Sequence, residues 1–129
     1  MTADGVKIEM CANITVSNNI FFSNALRAIH VVSGQNIFIY GNNFNECYGR
    51  PILIQSGSFI IISTNNFQSK DGDINDTNPA FVKLSYTGNP SYEYPFDSII
   101  INDNNFYCKG LYNGVYVCLL YTSPSPRDS

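Results

Sequence analysis

The sequence predicts an all-β chain wound as a parallel β-helix of about four 23-residue coils. Three observations carry that prediction. A short pattern recurs with constant internal offsets: Ile14-x-Val16-x-x-Asn19-x-Phe21, Ile37-x-Ile39-x-x-Asn42-x-Phe44, Ile60-x-Ile62-x-x-Asn65-x-Phe67 and Ile99-x-Ile101-x-x-Asn104-x-Phe106. Its copies start 23, 23 and 39 residues apart, and a fixed period of this size marks a solenoid. Within each copy the Ile/Val positions alternate with period 2, as in a strand with one buried face, and nothing recurs at helical spacing.

A second strand accompanies each copy. It reads Val6-x-Ile8, Ile29-x-Val31, Ile52-x-Ile54 and Val82-x-Leu84, and Val115-x-Val117 begins a fifth turn. Each coil then has three faces: this strand, the Ile-x-Ile strand and a segment anchored by Phe. Coils stacked about 4.8 Å apart pair each face with its next copy as a parallel sheet. The Asn is expected at the corner after the Ile-x-Ile strand, in the left-handed conformation that Asn tolerates, with its amide bonded from coil to coil. Phe21, Phe44, Phe67 and Phe106 are expected to point inward as an aromatic column.

The bulk numbers narrow the function classes. At 129 residues the chain is at most one domain, and its 7 Lys and Arg against 10 Asp and Glu supply no basic stripe for phosphate. It contains no apolar run of membrane-spanning length, and Met1 to Met10 lack the layout of a signal peptide. The four cysteines, Cys11, Cys47, Cys108 and Cys118, show neither C-x-x-C nor zinc spacing and read as small hydrophobes.

The end of the chain departs from the repeat. Residues Cys118 to Asp128 resemble the conceptual translation of a tagmentation-type sequencing adapter. That resemblance implies a metagenomic reading frame truncated inside a longer gene, with 118–129 as a non-native tail after a β-helix fragment over 4–117. The repeat is already in phase at Val6, and neither end shows the cap that shields a terminal coil. The expectation is a fragment of a longer solenoid.

Chemistry is expected where the period breaks. The 16 residues beyond the period fall on both sides of Val82-Lys83-Leu84: Phe67 to Val82 spans 15 residues where earlier coils have 8, and Val82 to Ile99 spans 17 where they have 8. Loops growing from a regular scaffold are where binding sites are built. By strand parity, Lys7, His30, Leu53 and Lys83 form one outward column, with Arg27 and Arg50 at the strand entrance and Glu46 in the turn before Arg50. Lys83 and Arg50 suit a carboxylate or sulfate of an acidic sugar. His30, the only histidine, is expected to be exposed, as a substrate contact or as an ordinary surface residue. In the first insertion, Asp71-x-Asp73-x-Asn75 places alternating oxygen ligands that could hold Ca²⁺, or simply solvates the loop; no other cofactor is expected. In the second, Tyr86, Tyr92 and Tyr94 would either stack on sugar rings or pin the loop to the barrel, with Glu93 and Asp97 beside them. Glu46, Glu93 and Asp97 are the carboxylates available as acid or base. The outward column of the Ile-x-Ile face, Thr15, Phe38, Ile61 and Ile100, is mostly apolar and is expected to be covered in the full protein.

On its Asn-x-Phe coils, the chain resembles the right-handed parallel β-helix proteins of the pectate-lyase-like superfamily over Asp4 to Val117. The resemblance implies the fold more than the activity, because that superfamily holds polysaccharide lyases, glycosidases, epimerases and phage tailspikes. In these proteins the substrate usually lies along the strand face preceding the one that ends in the Asn corner, here that of Lys7, His30 and Lys83. The motifs of polygalacturonase-like glycosidases are absent: Asn102-Asp103 lacks their spacing and His30 sits in Ala-Ile-His-Val. Asn45 to Ile54 resembles the β-helix α-galactosidases.

Two readings follow from the resemblance. One is a glycoside hydrolase or polysaccharide lyase acting on an extracellular polysaccharide, at the cell envelope or outside it. The other is a non-catalytic adhesin or tailspike-like module that binds glycans. In either, the partners are a polysaccharide and the missing coils of the same chain. The insertions around Lys83 favour the first reading, and the missing carboxylate pair favours the second.

Overall fold

A computed structural model describes residues 5–22, 27–47, 51–69, 80–86, 96–107 and 113–119. Every regular element among them is a strand. The first coil holds β1 (Val6–Ile8), β2 (Cys11–Ser17) and β3 (Ile20–Phe22); the second holds β4 (Ile29–Val31), β5 (Gly34–Tyr40) and β6 (Asn43–Cys47). The third holds β7 (Ile52–Ile54), β8 (Gly57–Ser63) and β9 (Asn66–Ser69); the fourth holds β10 (Ala80–Tyr86), β11 (Phe96–Asn102) and β12 (Asn105–Tyr107). β13 (Asn113–Leu119) opens a fifth.

The coils stack in sequence order into three parallel sheets, β1-β4-β7-β10-β13, β2-β5-β8-β11 and β3-β6-β9-β12. The registers follow the repeat, apart from a shift between Asn45 and Cys47 on the third sheet. Ile29 pairs with Val6 and Ile52, Ile37 with Ile14 and Ile60, and Phe44 with Phe21 and Phe67. The longer fourth coil keeps step, with Val82 on Ile52 and Ile99 on Ile60. This architecture is a parallel β-helix of about four coils. β13 continues through Cys118 and Leu119, which pair with Ser85 and Tyr86, so the ladder runs two residues past the expected boundary at Val117.

The core runs along the axis. Ile29, Ile37, Ile39, Ile52, Ile54, Ile60 and Ile62 are fully buried, each contributing about 1.5–3 kcal/mol of transfer free energy. Phe44 and Phe67 are also fully buried, and Phe21, Phe44 and Phe67 stack nearly parallel with centroids 5.0 and 4.6 Å apart. Phe106 tilts by 32° against Phe67, because Phe81 enters the column and stacks on Phe106 at 5.3 Å. Phe81 occupies the register position of Ala28 and Pro51, so the large ring fills space that small residues leave in earlier coils.

The corner after the second sheet differs from the expectation. The left-handed residue is the one before each repeat Asn: Asn18, Gly41, Thr64 and Asp103, with φ between 56° and 70°. The repeat Asn follows it and turns its amide inward. Asn42 donates its backbone N–H to Asn65 Oδ1 at 2.9 Å, and its Nδ2 to Asn65 Oδ1 at 3.1 Å and Val16 O at 2.9 Å. Asn65 repeats the arrangement with Asn104 Oδ1 and Ile39 O. The selection is therefore for an amide that accepts from the preceding coil and donates to both the preceding and the following coil, rather than for tolerance of positive φ.

A second left-handed column, Asn13, Asn36, Phe59 and Ser98, bends every strand of the second sheet near its start. The close approach of Gly34 and Gly57 belongs to this bend. A Cβ on Gly57 would lie 2.5 Å from Ile60 Cδ1 and 3.1 Å from Gly34 O.

Candidate functional site

The first sheet carries the outward column expected from parity: Lys7, His30, Leu53 and Lys83 are consecutive register partners. Its surroundings are not those of an open groove. His30 is only 8 % exposed, and its Nε2 lies 2.8 Å from Gln55 Oε1. Leu53, its partner in the next coil, is buried as well. The expectation of an exposed His30 is corrected: a ring over Leu53 and bonded to an amide is held within the structure. Lys83 is half-buried, and Lys7 lies at the surface with Glu9 Oε1 4.0 Å from its Nζ, a weak, solvent-screened pair.

The other candidates separate. Tyr86 shares β10 with Lys83 but has the opposite parity. It points with Val82 and Leu84 to the inner side, is buried, and meets Phe96 edge-on at 6.5 Å. A ring so placed pins the structure and is closed to sugar stacking, which corrects its assignment as a stacking platform. Asp97 lies in β11 rather than in a loop, exposed and opposite Ser58 on the second sheet. Glu46 falls inside β6 on the third sheet, not in the turn before Arg50; the register shift between Asn45 and Cys47 makes it the extra residue of a bulge. Arg50, Glu93, Tyr92, Tyr94, and the Ca²⁺ candidates Asp71, Asp73 and Asn75 lie outside the described residues. Among the described residues no three His, Cys, Asp or Glu side chains converge as a metal site. His30 and Lys83 thus share one outer column, whereas Asp97 stands on another sheet.

Large apolar side chains are exposed on the third sheet at Ile20, Phe22 and Tyr107, and in greater number on the outer face of the second sheet. Its ladder arranges the outward side chains as a grid: Asn13, Thr15 and Ser17; Asn36, Phe38 and Tyr40; Phe59, Ile61 and Ser63; Ser98, Ile100 and Asn102. Phe38 and Tyr40 are each 44 % exposed, Ile100 46 % and Phe59 53 %. The apolar column expected to be covered is therefore open in this structure. Amides and hydroxyls rim the rings, and the Asn36 amide donates to Asn13 Oδ1 at 3.2 Å, which orients two amides at one margin. Exposed rings bordered by oriented neutral donors and acceptors can stack on the C–H face of a flat ligand and bond its hydroxyls. Sequence reasoning named Phe38 and Ile100 but assigned no binding role to this face. The available signal was Phe38-x-Tyr40, two aromatics on one side of a strand.

The chain matches no protein-family model, no curated protein and no solved structure. The parallel β-helix is accordingly the identity that the register and the packing establish.

Proposed function

We propose that this chain is part of a carbohydrate-active β-helix protein of the pectate-lyase-like kind, and that it contacts an extracellular polysaccharide through the outer face of the second sheet. The observation that carries this reading is the set of exposed rings Phe38, Tyr40 and Phe59 interspersed with amides and hydroxyls on one face. Polysaccharides present the complementary surface, apolar ring faces edged by hydroxyls, and the ladder offers an extended chain a row of side chains across successive coils. The reading supports binding ahead of catalysis, because the accessible surface gathers no pair of carboxylates among the described residues.

A catalytic version rests on one feature. Asp97 is an exposed carboxylate at the margin of the same face. In a glycoside hydrolase or lyase it would act as acid or base with a partner from another coil.

Affinity electrophoresis through gels cast with soluble polysaccharides tests the binding reading. Retardation is expected for the parent chain, and it is expected to disappear in the double variant Phe38→Ala/Phe59→Ala with an unchanged far-UV circular dichroism spectrum. Free migration of the parent chain in every polysaccharide would refute it. Turnover that falls in Asp97→Asn at unchanged binding would establish the catalytic version.

A further inference from the structure

We infer that the polysaccharide held by the second sheet is uncharged, an inference that rests on the binding role proposed for that face. The argument is one of charge complementarity. The strands Cys11–Ser17, Gly34–Tyr40, Gly57–Ser63 and Phe96–Asn102 contain no lysine and no arginine. Every outward position of the grid is apolar or neutral and polar. Among the described residues, the carboxylates at its margins are Asp97 on the strand, Asp103 at the following corner and Glu9 at the corner before Cys11, all exposed. A uronate or sulfated polymer laid across this face would find no lysine or arginine on its four strands to offset its charge and would be repelled by the carboxylates at its margins. A neutral glycan loses nothing there: its ring faces cover Phe38, Tyr40 and Phe59, and its hydroxyls meet the amides of Asn36 and Asn102 and the hydroxyl of Ser63.

This assignment departs from the acidic sugar expected of Lys83 and Arg50. Lys83 belongs to the first sheet, where His30 and Leu53 are buried, and Arg50 lies outside the described residues. The two sheets thus make opposite predictions about ligand charge, so one experiment separates them.

The experiment is affinity electrophoresis of the 129-residue chain in neutral polymers (galactomannan, xyloglucan, mixed-linkage glucan) and acidic ones (polygalacturonate, alginate), at low and high salt. The variants are Phe38→Ala/Phe59→Ala, Asp97→Asn/Asp103→Asn and Lys83→Ala. The expected result is retardation by a neutral polymer that salt leaves unchanged and that weakens about tenfold or more when two stacking rings are removed. Removing the carboxylates should leave neutral binding intact and relieve the exclusion of acidic polymers. Retardation by acidic polymers alone, weakened by salt and by Lys83→Ala but not by the ring variants, would overturn the inference while leaving carbohydrate binding standing. No retardation in any polymer would overturn the proposed function as well. Concentration-dependent self-association in sedimentation velocity, abolished by the ring variants, would assign the face to a second copy of the chain and overturn both.

Discussion

Replacing Asn65 by Ala should remove a large part of the stability of this fold. Asn65 is nearly fully buried and its side chain joins three coils. Its Oδ1 accepts from the backbone N–H of Asn42 at 2.9 Å and from Asn42 Nδ2 at 3.1 Å; its Nδ2 donates to Ile39 O at 3.0 Å and Asn104 Oδ1 at 3.0 Å. Two of those partners keep another bond: Asn42 Nδ2 still reaches Val16 O, and Asn104 Oδ1 still accepts the backbone N–H of Asn65. The Asn42 N–H and the Ile39 carbonyl lose the partner that Asn65 provides. At about 1–3 kcal/mol for each of these two buried groups left unsatisfied, the loss is about 2–6 kcal/mol. A domain of this size has about 5–15 kcal/mol in total, so the variant approaches the unfolding threshold. Asn19→Ala supplies the control, since Asn19 is exposed and its amide donates only to Ser17 O and Asn42 Oδ1. About 1 kcal/mol is expected there. Urea unfolding followed by circular dichroism at 218 nm, a wavelength chosen for strand signal, measures both. Equal losses in the two variants, or a loss in Asn65→Ala within about 0.5 kcal/mol of the parent, would refute the view that the buried ladder locks the coils together.

Three further outcomes follow from the packing. Phe67→Ala, which opens a hole between Phe44, Phe81 and Phe106, should cost about 3–5 kcal/mol in the same urea assay, against clearly less for the half-buried Phe21→Ala. Thr64 is β-branched at φ 59° where the preceding coil has Gly41; Thr64→Gly should raise the urea midpoint, with a net gain of about 0.5–1 kcal/mol after the added freedom of the unfolded chain. Gly57→Ala should lower the thermal midpoint by an amount corresponding to about 1–3 kcal/mol, because the new methyl must displace Ile60 Cδ1 and crowd Gly34 O.

The fold was legible because a solenoid repeats its physics. One coil's alternation of Ile14 and Val16 is weak evidence for a strand, but the same offsets at Ile37, Ile60 and Ile99 leave register as the only common cause. The position of the left-handed residue was less legible. Asn18, Gly41, Thr64 and Asp103 share a backbone conformation but no residue type, so no sequence column reveals them. Phe81 was invisible for a related reason: its register partners Ala28 and Pro51 are small, and nothing in the repeat announces that one coil fills the gap with a ring. The outward columns were read correctly by parity, yet parity says only which side a residue faces. Whether that side is covered depends on neighbours in other coils, which is why His30 is buried against expectation while Phe38, on the column expected to be covered in the full protein, is exposed in this chain.

These differences separate two kinds of column. Inward columns are bound by a shared cross-section: a change in one coil must fit the coil above and the coil below, so Ile, Phe and Asn recur. Outward columns have no such partner requirement beyond the ladder, and the grid on the second sheet uses that freedom, running from Thr15 to Phe38 to Ile61 to Ile100 along one line. Its composition is then free to be set by what touches it. Exposed aromatic and branched side chains at the centre raise the risk of sheet-to-sheet aggregation, which solenoids ordinarily suppress with charge. Here charge is absent from the centre, and among the described residues it stands at the margin as Asp97, Asp103 and Glu9. On the proposed reading, a neutral, hydroxyl-rich polymer covers the rings along successive coils, and its chemistry matches both the rings and the lack of charge on the strands.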